Sequence, residues 1–168
     1  MVVIVGVVAA VGVPVLHARS RSALLDANIQ SLAALVQEEA LAGYRWDYRA
    51  DGSGGGEVYL SSHLETLLRE AVGKTGYVNP FVGSHTSRTI LNSPEIATDA
   101  DTAPPAVFLT NSPSCQYDAF DAQPYDTARR YLAGTIVVHF DTVAANVDVF
   151  FVDATGNKSA RVIRVPMA

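Results

Sequence analysis

Residues 1–16 read MVVIVGVVAAVGVPVL, a run that contains no charged side chain. No turn signal separates this run from a second segment in which apolar residues recur at spacings of four, three and four, the period of one α-helical face. This stripe consists of Leu25, Ile29, Leu32 and Val36. The sequence therefore predicts one helix that reaches about Ala42 and spans roughly 60 Å, with an apolar first half and an amphipathic second half.

Composition restricts the class of protein. A chain of 168 residues has room for one domain with a core and for an appendage. The net charge of −5 does not favour nucleic-acid binding, because basic residues cluster only at Arg19/Arg21 and Arg129/Arg130. The single cysteine, Cys115, excludes an internal disulfide and a cysteine metal cluster, and its position in a loop favours a packed apolar role over catalysis. No cofactor and no metal site is predicted.

The apolar run has three interpretations. A membrane-spanning helix needs roughly 20 residues, so the run is short for that role. A secretory signal peptide would end plausibly at Ala18, but this run has no positively charged start. A globular core helix is disfavoured because the run has no polar face. In each case the run has to be sheltered from water.

Helix-weakening residues interrupt the run. Pro14 removes one backbone hydrogen bond, so we expect the helix to bend or to open locally between about Ala10 and Pro14. Gly6 and Gly12 weaken the helix further, and in a packed bundle they would also let helices approach closely. A role as neutral filler is an equally open interpretation of both glycines.

The middle of the chain, residues 44–133, is predicted to form a variable loop region rich in turns. Residues 57–60 are expected to form a short strand. Ser62 and Glu65 form a capping box that predicts the start of a helix, and Gly73 is expected to end it.

Further along this region, two short apolar runs at residues 89–91 and 107–109 are expected to pair as strands. Ser84, His85 and Ser87 have the residue types of a hydrolase site. No G-x-S-x-G motif places a serine for catalysis, so a polar loop is the favoured interpretation.

The C-terminal third predicts an antiparallel meander over residues 134–166 with one buried face. Three β-rich runs are separated by turns: TIVVHF (135–140), NVDVFFV (146–152) and ARVIRV (160–165). The apolar stripe of the helix needs a surface to cover it, and this sheet is available. The predicted fold class is α+β, with helix 23–43 packed on a C-terminal antiparallel β-sheet.

This order of elements resembles the type IV pilins and pseudopilins. The matching stretch is Val2 to Pro14 (VVIVGVVAAVGVP), which is similar to the apolar run of that family with its helix proline. The phrase Gly76-Tyr77-Val78-Asn79-Pro80 after a small helix is also similar to loops in pilins of this class. The resemblance implies a pilin-like fold and a non-enzymatic structural subunit of an extracellular filament.

The resemblance also implies partners and contact residues. Residues 1–22 would form the apolar half-helix in the membrane or the filament core, and residues 23–168 would form the globular domain. The partners would be copies of the chain itself in a homopolymer at the cell surface and, before assembly, the cytoplasmic (inner) membrane. N-terminal methylation, secretion and cell adhesion accompany this assignment. The expected filament-core contacts are Val5, Gly6, Val8, Ala9, Gly12 and Pro14.

Three features of the family have no counterpart ahead of the run in this sequence: a charged leader, its cleavage site and an early glutamate. An extension of about seven or eight residues before Met1 would bring the apolar segment to spanning length. Arg19 and Arg21 favour the opposite membrane orientation unless a basic leader precedes the run. Two alternatives stay open: a membrane-anchored surface binding domain that does not polymerise, and a secreted hydrolase. Adhesion, motility, DNA uptake and secretion are all compatible with the filament.

Overall fold

Two helices cover one face of a five-stranded sheet in a computed structural model, which describes residues 2–47, 55–91, 103–124, 129–141 and 144–166. The predicted α+β class is confirmed. The helices are α1 (Val2–Asp47) and α2 (Gly55–Thr75), and the strands are β1 (Ser87–Ile90), β2 (Val107–Thr110), β3 (Ile136–Asp141), β4 (Asn146–Phe151) and β5 (Ile163–Pro166).

The amphipathic half of α1 packs as its period predicts. All four residues of the stripe are fully buried, and α1 contacts α2, β4 and β5. We call this layer the helix-side core. Its members on the sheet alternate along each strand, which is the pattern of one sheet face. They are Val107, Leu109, Ile136, Val138, Phe140, Val147, Val149, Phe151 and Val165.

The second helix begins earlier than its capping box indicates. The strand predicted at residues 57–60 is wrong, because α2 begins at Gly55 and places Ser62 in its interior. Leu64, Leu68, Ala71 and Val72 recur at helical spacing and are buried in the helix-side core, so packing against α1 supports the helix. The helix ends at Thr75, and Gly76 follows it in the left-handed region with φ +73°, two to three residues beyond the predicted end.

The sheet is mixed, which corrects the prediction of an antiparallel sheet. The three C-terminal strands form the predicted antiparallel meander, in the order β3-β4-β5. The two short apolar runs do pair, but β1 lies parallel to β2 and β2 lies parallel to β3. Parallel neighbours need a crossover of about a dozen residues or more, and the long connections before β2 and before β3 provide it.

Both faces of the sheet are buried, whereas the sequence predicted one. The side chains of Phe108, Val137 and Phe150 belong to the face opposite the helices and are fully buried. Two 3₁₀ helices, Pro113–Cys115 and Tyr117–Ala122, supply side chains that pack on this face. The region predicted to be a variable loop therefore supplies part of a second core.

This far-side core is built largely on aromatic contacts. The ring of Phe150 meets the rings of Tyr117 and Phe120 edge to face, at centroid distances of 5.1 and 5.6 Å. Such geometry is favoured because the positive ring edge faces the negative ring face. The buried members of the far-side core are Phe108, Cys115, Tyr117, Phe120, Tyr131, Leu132, Val137, Phe150 and Val152.

Leu32→Ala tests the contact between α1 and the sheet. Leu32 has 0 % of its surface exposed, so we expect the substitution to lower the free energy of unfolding by about 2–5 kcal/mol. Leu24→Ala is the matched control: Leu24 is 45 % exposed on the same helix, and we expect a change within about 0.5 kcal/mol. Urea unfolding curves measure both, and equal effects of the two substitutions would contradict the packing described here.

Candidate functional site: the leading helix and its collar

Helix α1 begins well ahead of the surface that buries it. Its first described residue in the helix-side core is Leu25, and residues 2–24, which precede the buried stripe, amount to about 35 Å of helix. The described side chains between residues 17 and 24 are all exposed. We call residues 2–24 the leading part of α1.

The six expected filament contacts all fall in the leading part of α1. They are Val5, Gly6, Val8, Ala9, Gly12 and Pro14. Their backbone is helical, and their side chains lie outside the described residues. Helical spacing places Val5, Val8, Ala9 and Gly12 on one face of the helix, at positions i, i+3, i+4 and i+7. The same geometry places Pro14 on the opposite face.

The helix does not open at Pro14. It is continuous from Val2 to Asp47, so the predicted local unwinding between Ala10 and Pro14 is wrong, and a bend of the axis stays a prediction. The proline removes one N–H donor only, and the hydrogen bonds of the turns on either side suffice to keep helical backbone geometry.

A tight turn meets α1 just ahead of the buried stripe. The guanidinium group of Arg21 lies over the ring of Phe81, 5.5 Å from the ring centroid. The next residue of the turn, Val82, is 50 % exposed, and His17 and Arg19 are exposed on the helix. We call these five residues the collar. The collar combines basic side chains with an apolar turn where α1 enters the domain.

Hydrogen bonds from Asn79 fix the conformation of this turn. Its backbone N–H donates to the Ser84 carbonyl at 2.9 Å, and its carbonyl accepts the Gly83 N–H at 2.8 Å. Its side-chain oxygen accepts the N–H of Phe81 at 3.0 Å. Asn79 is fully buried, so these bonds are shielded from water and define one conformation of the turn.

The amide nitrogen of Asn79 ties the turn to the sheet. It donates to the Ala133 carbonyl at 2.8 Å and to the Pro105 carbonyl at 3.3 Å. The hydroxyl of Thr135 donates to the same Pro105 carbonyl at 2.7 Å. Sequence reasoning identified Asn79 only within the resemblance to pilin loops. The Asn-Pro pair is a turn signal, but its bonding partners are 26 and 54 residues away in the chain.

A row of polar side chains crosses the far side of the sheet. In the strand register Thr110 lies beside His139, His139 beside Asp148, and Asp148 beside Arg164. Arg164 lies 3.4 Å from the Asp148 carboxylate and donates to Asp118 at 2.8 Å. Sequence reasoning missed this row, although the alternation along β4 places Asp148 opposite the helix-facing valines.

The row has the residue types of a hydrolase but not the geometry. The Nε2–H of His139 donates to the backbone carbonyl of Ser112 at 3.0 Å, and a carbonyl is not a nucleophile. The Ser112 hydroxyl pairs instead with the Ser114 hydroxyl at 2.8 Å. Ser112, His139 and Asp148 are all buried. The contact between His139 and Ser112 is structural: it joins β3 to the segment between β2 and the first 3₁₀ helix.

Burial perturbs the protonation of this row. It lowers the pKa of His139 below its usual value, against the opposing effects of the Ser112 carbonyl and the Asp141 carboxylate. It raises the pKa of Asp148, which Arg164 opposes and which the carboxylates of Asp118 and Asp141 reinforce. The buried imidazole is therefore held neutral at neutral pH.

The thiol of the one cysteine, Cys115, is also expected to be unreactive. Burial raises the pKa of the Cys115 thiol to about 12, so the reactive thiolate is scarce at neutral pH. Within the described residues, no group of three or more histidine, cysteine, aspartate or glutamate side chains is placed to hold a metal ion.

No helix in the described part of the chain combines the length and the apolar character needed to cross a membrane. Comparison with protein-family models, with characterised proteins and with solved structures finds no match to this chain.

Gly134→Ala tests the tie between Asn79 and the sheet. A Cβ at Gly134, where φ is +78°, would lie 2.2 Å from the Asn79 side-chain oxygen. Gly83→Ala is the matched control, because Gly83 has φ +71° with open space around its Cβ position. Both substitutions carry the backbone cost of a positive φ, about 1–2 kcal/mol.

Only the new Cβ of Gly134→Ala also collides with neighbours, the Asn79 side-chain oxygen and, at 2.3 Å, the Phe81 ring, so its loss of unfolding free energy should exceed that of Gly83→Ala by about 1–3 kcal/mol. Thermal or urea unfolding of the two variants gives the difference. A difference near zero would contradict the close packing of the turn, through Asn79 and Phe81, against Gly134.

His139→Gln tests the polar row through pH. The native pKa lies below 6.5, so the unfolded chain binds more protons and the free energy of unfolding falls as the pH drops through 6.5. The slope from this residue is at most about 1.4 kcal/mol per pH unit, and the loss is complete below the native pKa. Glutamine keeps an N–H donor for Ser112 and does not titrate.

The measurement is urea unfolding of wild type and variant at about pH 7 and about pH 5.5. Asp148 acts in the opposite direction, because a carboxyl with a raised native pKa contributes more stability as the pH falls. The comparison between the two proteins removes this background. The variant should lose less stability on acidification, and identical pH slopes would contradict the assignment.

Proposed function

We propose that this protein is a pilin-like structural subunit of an extracellular, type IV pilus-like helical filament, assembled through the leading part of α1. The observation that carries the proposal is the mismatch between helix and core. The helix is continuous from Val2 to Asp47, and among its side chains that the structure describes the first in the helix-side core is Leu25. The described side chains between residues 17 and 24 are exposed, so this part of the helix is open to a partner outside the chain.

The composition of the leading part favours an apolar partner. Residues 2–16 contain no charged side chain, and a run of this kind exposed to water exceeds the apolar patch that soluble monomers tolerate. Lipid would shelter the run before assembly, and like helices would shelter it afterwards. The small residues Gly6, Ala9, Ala10 and Gly12 suit close packing of helices.

The domain has its own packed cores. Their described members all lie at Leu25 or beyond. Head-to-tail contacts between identical chains that do not close into a ring generate a filament. The partners are therefore copies of this chain, and the cytoplasmic membrane before assembly. No catalytic step and no cofactor enters this function.

Val5→Asp and Val8→Asp test the proposal. A carboxylate in a packed apolar bundle loses its hydration without a partner, so either substitution should abolish filaments. Ala34→Asp adds the same charge at an exposed position of α1 outside the leading part and should leave the filament yield unchanged. Filaments sheared from cells that produce each variant are counted by negative-stain electron microscopy.

A chain restricted to residues 23–168 provides the folding control. This chain keeps the whole buried stripe, so its circular dichroism should show folded helix and sheet, and it should unfold cooperatively. Normal filaments from both aspartate variants would overturn the proposal. A wild-type chain that binds membranes and stays monomeric would support a membrane-anchored surface binding domain instead.

A further inference from the structure

The collar places exposed apolar surface at one end of the domain. In the described part of the chain, the exposed large apolar side chains are Leu24, Leu41 and Val82. Val82 belongs to the collar, and Leu24 lies three residues after Arg21 on the same side of α1. Two of the three therefore lie where α1 enters the domain.

The turn that carries Val82 is rigid. Asn79 binds the backbone of Phe81, Gly83 and Ser84 and is itself bonded to the sheet, so the tip of the turn cannot fold inward to hide Val82. A preorganised apolar tip loses little conformational entropy when it binds a partner. This arrangement suits a surface that makes contact outside the chain.

Charge selects the kind of partner. The collar contributes His17, Arg19 and Arg21, and residues 1–25 contain no acidic side chain, although the 168 residues together carry a net charge of −5. The basic residues directly follow the apolar run, and Arg21 lies over the ring of Phe81. Arginine side chains beside an anionic membrane surface are attracted to its headgroups. The orientation that puts the domain outside the cell requires a basic leader ahead of the run.

We propose that the collar is a membrane-surface site that binds the anionic phospholipid headgroups around the inserted leading part of α1. The inference rests on the membrane-inserted stage of the proposed function. Arg19 and Arg21 contact headgroup phosphates, and the exposed side chain of Val82 enters the boundary between headgroups and acyl chains, while Phe81 stays packed on the helix-side core beneath Arg21. The rigid link between turn and helix then sets the depth at which the subunit sits before it joins a filament.

Vesicle binding by the full chain tests the charged half of the collar. Vesicles of phosphatidylcholine alone are compared with vesicles that also contain phosphatidylglycerol. Each arginine near an anionic surface contributes about fivefold in binding, so Arg19→Gln with Arg21→Gln should weaken binding to the anionic vesicles about 25-fold. Binding to neutral vesicles should be unchanged, and the difference should shrink at high salt.

A charge-matched control uses Arg130→Gln with Arg161→Gln. Both arginines are exposed on the domain, and their loss changes the net charge by the same amount. Binding to anionic vesicles should then stay within about twofold of wild type. An equal loss in both double variants would show that net charge alone drives binding and would overturn the collar as a site.

The apolar half is tested by Val82→Ser, with Leu41→Ser as the control. Leu41 is 62 % exposed on the same helix and lies outside the collar. Val82→Ser should weaken binding to both kinds of vesicle about three- to tenfold, because half of an apolar side chain no longer leaves water. Leu41→Ser should leave binding unchanged, and equal effects of the two would overturn the inference.

A fluorescence measurement locates the turn directly. Val82→Trp in a Trp46→Phe background leaves one tryptophan, which should shift to shorter wavelength on vesicles and be quenched by lipids brominated close to the headgroups. Emission typical of water from vesicle-bound protein would overturn the inference. So would a loss of filaments in Val82→Ser without any change in vesicle binding, which would assign the collar to a contact between copies.

The outcomes separate this inference from the proposed function. A chain that binds both kinds of vesicle, with no response to the collar substitutions, keeps the membrane-inserted stage and removes the collar site. A wild-type chain that binds neither kind of vesicle removes the membrane-inserted stage, and the collar site with it. Filament yield, measured separately, tests the assembly itself.

Discussion

The structure depends on the burial of one helical stripe against one sheet face. Leu25, Ile29, Leu32 and Val36 are fully buried, and they hold the second half of α1 against β4 and β5. Because α1 is one unbroken helix, the packing of its second half on the sheet also determines the direction of the helix axis where the leading part joins the domain. A partner that takes the leading part is thereby connected to the domain through a helix rather than a flexible linker. This rigid connection is consistent with the filament subunit proposed above.

A second constraint aligns the collar with that helix. Asn79 connects the turn at Phe81 to Ala133, directly before the residues that enter β3, and Gly134 makes room for the connection. The helix and the turn therefore take their positions from the same sheet. This shared reference explains how an exposed side chain such as Val82 is held at a constant place relative to Arg21.

The helix-side core and the far-side core together bury both faces of the sheet. Three ionisable side chains, those of His139, Asp148 and Cys115, are buried in or beside the far-side core. The imidazole is bonded to a backbone carbonyl, and the high pKa of the thiol keeps it protonated. These contacts stabilise the fold.

The sequence by itself determined the elements whose evidence is local. A period of 3.6 residues identified α1 and its buried stripe, and alternation identified the meander β3-β4-β5, because each residue's face depends only on its neighbours in the same element. Only the tertiary structure decided that β1 and β2 pair in parallel, that Phe150 is buried beneath Tyr117, and that Asn79 bonds to Pro105 and Ala133. The direction of a strand, the burial of the second sheet face and long-range hydrogen bonds all depend on segments that are distant in the chain. The hydrophobic periodicity of a single element therefore cannot predict them.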